Sequence, residues 1–186
     1  GQRNSYLCNS SIQKIDTADA ILLVGSNPRW EAAVLNSRIR KAYINNDCKV
    51  GLIGPKFELT YKYEHLSNNL SYLNDILNEI SSFSEVLRKA KKPMIIIGTS
   101  AINFKEGQNI LKNCAEIANK YNISNDKFNG LNILQQNISR VGALDIGFYN
   151  NNFNHNVSST IKNHIEINKP VVFLLGLDDI DLSILE

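Results

Sequence analysis

Four short apolar runs, each ended by a glycine, constrain the fold of this chain more than any other feature. The runs are Ala20–Gly25, Lys49–Gly54, Pro93–Gly98 and Pro170–Gly176. They are rich in Ile and Val and do not alternate with polar residues, which is the pattern of strands buried on both faces in a parallel sheet. The glycine that ends each run allows the chain to turn tightly at the carboxyl end of the strand.

Amphipathic helical patterns lie between and after these runs. Their predicted apolar faces are Ala32, Leu35, Ile39 and Ala42; Leu70, Leu73, Leu77 and Ile80; Phe83, Val86, Leu87 and Ala90, with Ser82 as the cap; Ile110, Cys114, Ile117, Ala118 and Tyr121; and Leu131, Leu134, Ile138 and Val141. Strands that alternate with helices predict βαβ units. We therefore predict an α/β fold: a Rossmann-like parallel sheet with helices on both faces, in a single domain over residues 1–186.

Charge and composition exclude several functional classes. The 186 residues carry a net charge of +2, which is too weak a bias to favour nucleic acid as a partner. No apolar stretch approaches the roughly 18 residues that a membrane span needs, so we expect no direct membrane insertion. The three cysteines lie far apart without a C-x-x-C pair, which excludes a sequence-local zinc or iron–sulfur motif and is typical of a reducing compartment.

The first strand leads into the turn Gly25–Arg29, which is the main candidate site. Free backbone amides at such a strand-to-helix turn can hold a phosphate, but a well-capped turn has the same sequence pattern. Asn27 precedes Pro28 and is therefore expected to be extended, and Pro28 suits the first position of a helix. Glu31 would lie in the first helical turn. No G-x-G-x-x-G fingerprint or Walker phosphate loop supports a generic nucleotide site.

The other candidate residues point to no reaction. We predict that Arg38, Arg40 and Lys41 complement the dipole at the C-terminus of their helix, or alternatively contact a partner chain or an anion. Ser100 lacks the context of a nucleophile elbow. Three acidic residues follow the last apolar run, namely Asp178, Asp179 and Asp181. We expect them to form either a solvated loop or a cation site. We predict neither catalytic residues nor metal ligands.

Two motifs and several weaker stretches resemble one known family. The motifs are N-P-R-x-E at Asn27–Glu31 and N-x-R-I-R-K at Asn36–Lys41, and weaker similarity extends from about Tyr6 to Gly176. They resemble the C-terminal, molybdopterin-oxidoreductase-like part of the large iron–sulfur subunit of respiratory complex I, NADH:ubiquinone oxidoreductase. The chain starts at Gly1 without a Met, so we expect a fragment or a split half of a larger subunit.

The resemblance implies a structural role on the matrix side of the mitochondrial inner membrane, in support of electron transfer from NADH to ubiquinone. The iron–sulfur clusters would lie in the N-terminal part of the subunit, and other complex I subunits would be the partners. In molybdenum relatives, the turn matching Gly25–Pro28 helps to bind a guanine dinucleotide cofactor. Here we expect the vestigial turn Gly25, Ser26, Asn27, Pro28 and Arg29 to hold no cofactor, and Glu31, Arg38, Arg40 and Lys41 to be interface candidates.

Two other interpretations remain open at this point. One is an active fragment of a molybdopterin guanine dinucleotide-binding oxidoreductase, such as a formate dehydrogenase. The other is a cofactor-holding middle domain like that of thiamine-diphosphate enzymes, which is favoured only by the lysine–proline–strand–glycine pattern at Ala90–Gly98.

Overall fold

The computed structural model describes residues 3–103, 106–125, 128–137 and 139–148. The chain divides into two compact units, Gly1–Asp145 and Ile146–Glu186, and every helix and strand given below lies in the first. The predicted strand Pro170–Gly176 and the acidic residues that follow it lie outside the described residues. The single domain over residues 1–186 stays a prediction.

Five parallel strands form one sheet. They are β1 (Ala20–Val24), β2 (Lys49–Ile53), β3 (Glu64–Ser67), β4 (Pro93–Ile97) and β5 (Leu131–Ile133). Their order is β3-β2-β1-β4-β5, with Leu22 of β1 beside Gly51 of β2 and Ile95 of β4. The chain therefore changes direction across the sheet between β1 and β4, and a crevice at the carboxyl ends of the strands is expected there.

One short helix precedes β1, and the other helices lie between or after the strands along the chain. They are α1 (Ile12–Ile15), α2 (Pro28–Glu31), α3 (Ala33–Asn46), α4 (Leu73–Leu77), α5 (Ser82–Lys89), α6 (Thr99–Ile102), α7 (Gly107–Lys120) and α8 (Arg140–Asp145), with 3-10 turns at Arg3–Ser5 and Leu70–Tyr72. None of the helices in the described ranges is long and apolar enough to cross a bilayer.

Helices cover both faces of the sheet, as predicted. Leu22 and Val24 belong to one buried cluster, which includes Phe83 of α5. Ile21 and Leu23 belong to a second cluster with Ile39 of α3. Alternate residues of a strand point to opposite faces of the sheet, so the side chains of β1 contribute to two separate cores. All five residues of β1 are therefore buried.

Three helical expectations are wrong. Leu131, predicted on a helix face with Leu134, lies in β5, because the chain there pairs with β4 over Ile95–Ile97. Ile80 lies beyond the end of α4 and is 73% exposed. Ser81, not Ser82, caps α5, since its hydroxyl accepts a hydrogen bond from the Phe83 amide.

The N-terminal segment covers the outer edge of β5. The Ile133 amide donates to the Leu7 carbonyl at 3.0 Å, and the buried Asn132 side chain accepts from the Ser10 amide at 2.7 Å. Arg3 donates twice to the Asp145 carboxylate and, with Tyr6, lowers the pKa of Asp145 to about 2. These contacts remove a free sheet edge that would otherwise be open to pairing.

Candidate functional site

A cleft of about 840 Å³ lies at the carboxyl ends of β1, β2, β3 and β4, and we call it the switch-point cleft. Gly25, which follows β1, lines it together with Ser100 and Ala101 of α6. Open α/β sheets bind ligands at this position, where the strand order reverses. The structure therefore places the predicted turn Gly25–Arg29 at the edge of this cleft, which Gly25 and Asn27 line.

Gly25 and Gly98 allow the β1 and β4 ends to approach each other closely. Gly25 has a φ of +54°, and a Cβ there would lie 2.6 Å from the Ala101 Cβ. A Cβ on Gly98 would lie 2.3 Å from the Gly25 carbonyl oxygen. The Gly98 amide donates to the Val24 carbonyl at 2.9 Å, and the Ser100 hydroxyl donates to the Gly25 carbonyl. The turn is thus fixed from the β4 side by backbone contacts that leave no room for a side chain.

The carboxylate of Glu31 occupies the donors that such a turn would offer to an anion. It accepts a hydrogen bond from the Ser26 hydroxyl at 3.0 Å and another from the Asn27 amide at 3.0 Å. Ser26 itself is fully buried. A carboxylate near a helix N-terminus also interacts favourably with the peptide dipoles. Glu31 lies in the first turn of α2, as predicted. Its carboxylate takes the position relative to these two donors that a bound anion would take.

Asn27 and Pro28 have the predicted backbone roles, but the Asn27 side chain does not cap α2. Asn27 has φ and ψ of −109° and 86°, outside the helical region, and Pro28 opens the helix. The Asn27 side-chain oxygen is buried and accepts no hydrogen bond. Asn27 lines the switch-point cleft, and its buried, unsatisfied acceptor carries a free-energy cost.

The two arginine-bearing motifs bind the loop between β2 and β3. Arg29 donates to the Glu58 carbonyl at 2.9 Å, and Arg40 donates to the Thr60 carbonyl at 2.8 Å. Asn36, which is buried, donates to the Thr60 hydroxyl at 3.2 Å. The motif residues that carry the family resemblance thus hold the loop through its backbone as well as its side chains.

Arg38 and Lys41 bind Asp16 rather than the end of their helix. Each donates a hydrogen bond to the Asp16 carboxylate at 2.8 Å. The hydrogen bond from Lys41 lowers the pKa of Asp16 most, and the hydrogen bond and charge of Arg38 lower it further. The prediction that Arg38, Arg40 and Lys41 complement the helix C-terminus is wrong, because they lie in the middle of α3 and its last turn contains no basic residue. The alternative, a contact with a partner chain, stays a prediction.

Two of the three cysteines, Cys48 and Cys114, are buried, whereas Cys8 is exposed. Burial raises the pKa of both Cys48 and Cys114 to about 12, as expected for thiols held in apolar surroundings. Within the described ranges, no three His, Cys, Asp or Glu side chains come together as metal ligands would.

Sequence reasoning missed the partners of the site residues. The spacing of Glu31 placed it in a first helical turn, but nothing in the sequence showed that its carboxylate would turn back onto Ser26 and Asn27. The role of Asp16 depends on contacts 22 and 25 residues away along the chain. A glycine after each of two strands was the one available signal for the close approach of Gly25 and Gly98.

Comparison with known proteins gives one family and a consistent set of relatives. A family model described as molybdopterin oxidoreductase matches residues 1–183. The NADH-ubiquinone oxidoreductase 75 kDa subunit of Reclinomonas americana is 39% identical over 181 residues, which are 97% of this chain and 26% of the relative. The mitochondrial 78 kDa subunit of Candida albicans is 38% identical over 179 residues, which are 96% of this chain and 23% of the relative.

A plant relative carries a name that mentions iron–sulfur chemistry. The mitochondrial NADH dehydrogenase iron-sulfur protein 1 of Solanum tuberosum is 36% identical over 181 residues, which are 97% of this chain and 23% of the relative. The chain therefore spans about a quarter of the length of the curated relatives that it matches.

Proposed function

This chain belongs to the molybdopterin oxidoreductase family, and on that premise we propose that it is a non-catalytic structural domain of the large iron–sulfur subunit of NADH:ubiquinone oxidoreductase. Relatives that match nearly the whole chain are named as subunits of that enzyme. The domain supports electron transfer from NADH to ubiquinone by holding neighbouring, cluster-bearing protein in place, on the matrix side of the mitochondrial inner membrane.

The observation that carries the proposal is the hydrogen bonding of Glu31. A molybdopterin guanine dinucleotide is an anion, and the family places its binding at a turn of this kind. Here Glu31 already accepts from the Ser26 hydroxyl and the Asn27 amide. A phosphate that approached these donors would meet a carboxylate, and the two negative charges would repel each other.

The charge of the cleft is also unsuited to that cofactor. Glu31 and Glu106 line the switch-point cleft, and its described lining contains neither lysine nor arginine. Phosphate sites in proteins instead offer guanidinium or ammonium groups and free backbone amides. The residues present therefore do not fit a molybdopterin guanine dinucleotide, although the family name alone would favour the interpretation as an active oxidoreductase fragment.

The iron–sulfur clusters belong, in this proposal, to the part of the subunit that this chain lacks. Its relatives are about four times longer than the stretch that it matches. Cys48 and Cys114 are buried thiols with a raised pKa, which supports a packing role for both. Other subunits of the complex, above all the cluster-bearing part of the same subunit, are the partners we propose, with Glu31, Arg38, Arg40 and Lys41 near the contact.

Arg29→Ala should reduce the amount of assembled complex without changing NADH turnover per assembled complex. The substitution removes the hydrogen bond from Arg29 to the Glu58 carbonyl, a loss of about 1 kcal/mol that loosens the β2–β3 loop. Native gel electrophoresis measures assembly, and NADH oxidation by the purified complex measures turnover.

Lys14→Ala is the matched control for Arg29→Ala. Lys14 is an exposed cation in α1 whose side chain binds nothing among the described residues, so its removal should leave assembly unchanged. A large fall in turnover per complex in the Arg29→Ala variant, with normal assembly, would contradict a structural role.

A further inference from the structure

We propose that Asn129 is the site of a spontaneous covalent modification that the closed fold suppresses. Asn129 and Gly130 are the only Asn-Gly pair in the 186 residues. They lie just before β5, where the main chain is bonded to Ile123, and we call these three residues the β5 corner. When the corner opens, Asn129 converts to aspartate and isoaspartate, and the isoaspartate form prevents the corner from closing again.

The reaction needs only the two residues and water. The main-chain nitrogen of Gly130 attacks the side-chain carbonyl carbon of Asn129, and the new C–N bond closes a five-membered succinimide ring. The side-chain nitrogen of Asn129 leaves as ammonia and takes with it the proton of the Gly130 amide. Water then opens the ring at one of its two carbonyls, which gives aspartate or isoaspartate. Glycine obstructs this attack least, because it carries no side chain.

The fold requires the glycine that makes the pair reactive. A Cβ on Gly130 would lie 2.5 Å from the Pro93 carbonyl oxygen and 2.9 Å from a ring carbon of Phe128. The Gly130 carbonyl also accepts a hydrogen bond from the Ile95 amide at 2.9 Å, which holds the chain against β4 at this point. The packing of the main chain therefore excludes the side chain that would slow the attack.

The closed corner holds both reacting groups in other hydrogen bonds. The Gly130 amide donates to the Ile123 carbonyl at 2.8 Å, and the Asn129 side-chain oxygen accepts from the Leu131 amide at 3.1 Å. The Asn129 carbonyl accepts from the Ser10 hydroxyl at 2.7 Å. Ring closure needs the peptide between Asn129 and Gly130 to rotate and its nitrogen to lose a proton. The bonds to Ile123 and Ser10 oppose that movement, so the reaction proceeds through the open corner.

Ser10 is the fastening of the corner that a single substitution loosens. Besides its bond to the Asn129 carbonyl, the Ser10 hydroxyl accepts from the Asn132 side chain at 3.2 Å. Asn129 itself is half-buried, and it pairs with Ser124 in an isolated antiparallel bridge rather than in a strand of the sheet. Openings of such local contacts need less free energy than global unfolding.

Isoaspartate does not fit the closed corner. Its main chain runs through the former side-chain carbons, which adds one atom between the Cα of residue 129 and the nitrogen of Gly130. The packing around Gly130 has no room for an added atom, and the register of Leu131 beside Ile95 depends on the length of the chain before it. A chain that opens and reacts therefore loses the pairing of β5 with β4.

Incubation of the purified chain at mildly alkaline pH, in buffer and in denaturing urea, tests the protection. Peptide mapping by mass spectrometry, with chromatographic separation of the aspartate and isoaspartate forms, gives the rate at Asn129. We expect conversion in buffer to be about tenfold slower or more than in urea, because only the open population reacts. Equal rates in the two solutions would overturn the proposal.

Ser10→Ala tests the fastening. Loss of the hydrogen bond to the Asn129 carbonyl should raise the rate in buffer by about threefold or more and leave the rate in urea unchanged. Ser37→Ala is the matched control, since the exposed Ser37 hydroxyl donates to the Ala33 carbonyl within α3. Equal rates of the two variants in buffer would show that Ser10 does not close the corner. The comparison of buffer with urea needs neither variant.

Urea unfolding of the converted chain tests the consequence. Protein enriched in isoaspartate at position 129 should unfold at a lower urea concentration than Asn129→Asp, which carries the same charge on a main chain of normal length. Isoaspartate protein as stable as Asn129→Asp would contradict the claim that the modified corner stays open.

Discussion

Gly98→Ala should lower the free energy of unfolding by about 1–3 kcal/mol or more, the usual cost of forcing extra atoms into a packed site. The new Cβ would lie 2.3 Å from the Gly25 carbonyl oxygen and 2.9 Å from the Ser26 Cα. Both atoms belong to the backbone, so the contact is relieved only by moving the β1 turn. Gly98 has φ and ψ of −78° and 149°, which alanine adopts without strain, so the loss reports the close approach alone.

Gly142→Ala is the matched control for this substitution. Gly142 lies in α8, and apart from its chain neighbours and its own helix backbone no atom comes within 4 Å of the position that its Cβ would take. Alanine is favoured over glycine inside a helix by about 1 kcal/mol, so this variant should be as stable as the parent protein or more stable. Urea unfolding of the purified variants gives both values. Equal stability of Gly98→Ala and Gly142→Ala would refute the close packing of the two strand ends.

Phe83→Ala should be the most destabilising truncation in the core, with a loss of about 3–5 kcal/mol. The Phe83 side chain is 1% exposed and belongs to the cluster that includes Leu22 of β1. Its ring lies against the β2 backbone, because a Cβ on Gly51 would come within 2.9 Å of two ring carbons. The truncation therefore leaves a cavity between α5 and the sheet.

A double-mutant cycle with Gly51→Ala gives this prediction a sharper form. In the parent protein, Gly51→Ala collides with the Phe83 ring and should cost about 1–3 kcal/mol. In the Phe83→Ala background the same methyl group enters the cavity, so the double variant should be more stable than Phe83→Ala alone. Urea unfolding of the four proteins measures the coupling. Costs that simply add would show that the ring does not pack on Gly51.

The sheet was predictable where the strands are buried on both faces. Ala20–Val24, Lys49–Ile53 and Pro93–Ile97 appear as continuous apolar runs because each faces two layers of helices. The two edge strands lack that signal. Glu64–Ser67 is polar. Leu131–Ile133 contains the buried side chain of Asn132, which is hydrogen-bonded to Ser10, a residue more than a hundred positions away in the sequence.

The candidate turn was predictable in position but not in chemistry. Gly25 and Pro28 indicated where the first strand ends and the next helix begins. The sequence left a phosphate site and a well-capped turn both open, because both need the same residues at the same spacing. The geometry of one side chain favours the capped turn, since the Glu31 carboxylate accepts hydrogen bonds from the Ser26 hydroxyl and the Asn27 amide.

The motif arginines show why a resemblance does not reveal roles. Arg29 and Arg40 bind carbonyls of a loop that joins the next two strands, and Arg38 binds a carboxylate before β1. A cation in a sequence pattern could equally serve a ligand or a partner. Here three of the motif cations stabilise the fold around the turn, which is consistent with selection for architecture.

Pterin content of the purified assembly tests the central claim most directly, namely that the β1 turn closed by Glu31 is architecture and holds no pterin. Acid extraction and oxidation convert any bound molybdopterin into a fluorescent derivative, which is quantified against the amount of this chain, with molybdenum and tungsten measured in parallel. We predict far less than one pterin per chain and no stoichiometric molybdenum or tungsten. Stoichiometric pterin that is lost when Gly98→Ala displaces the turn would contradict the account.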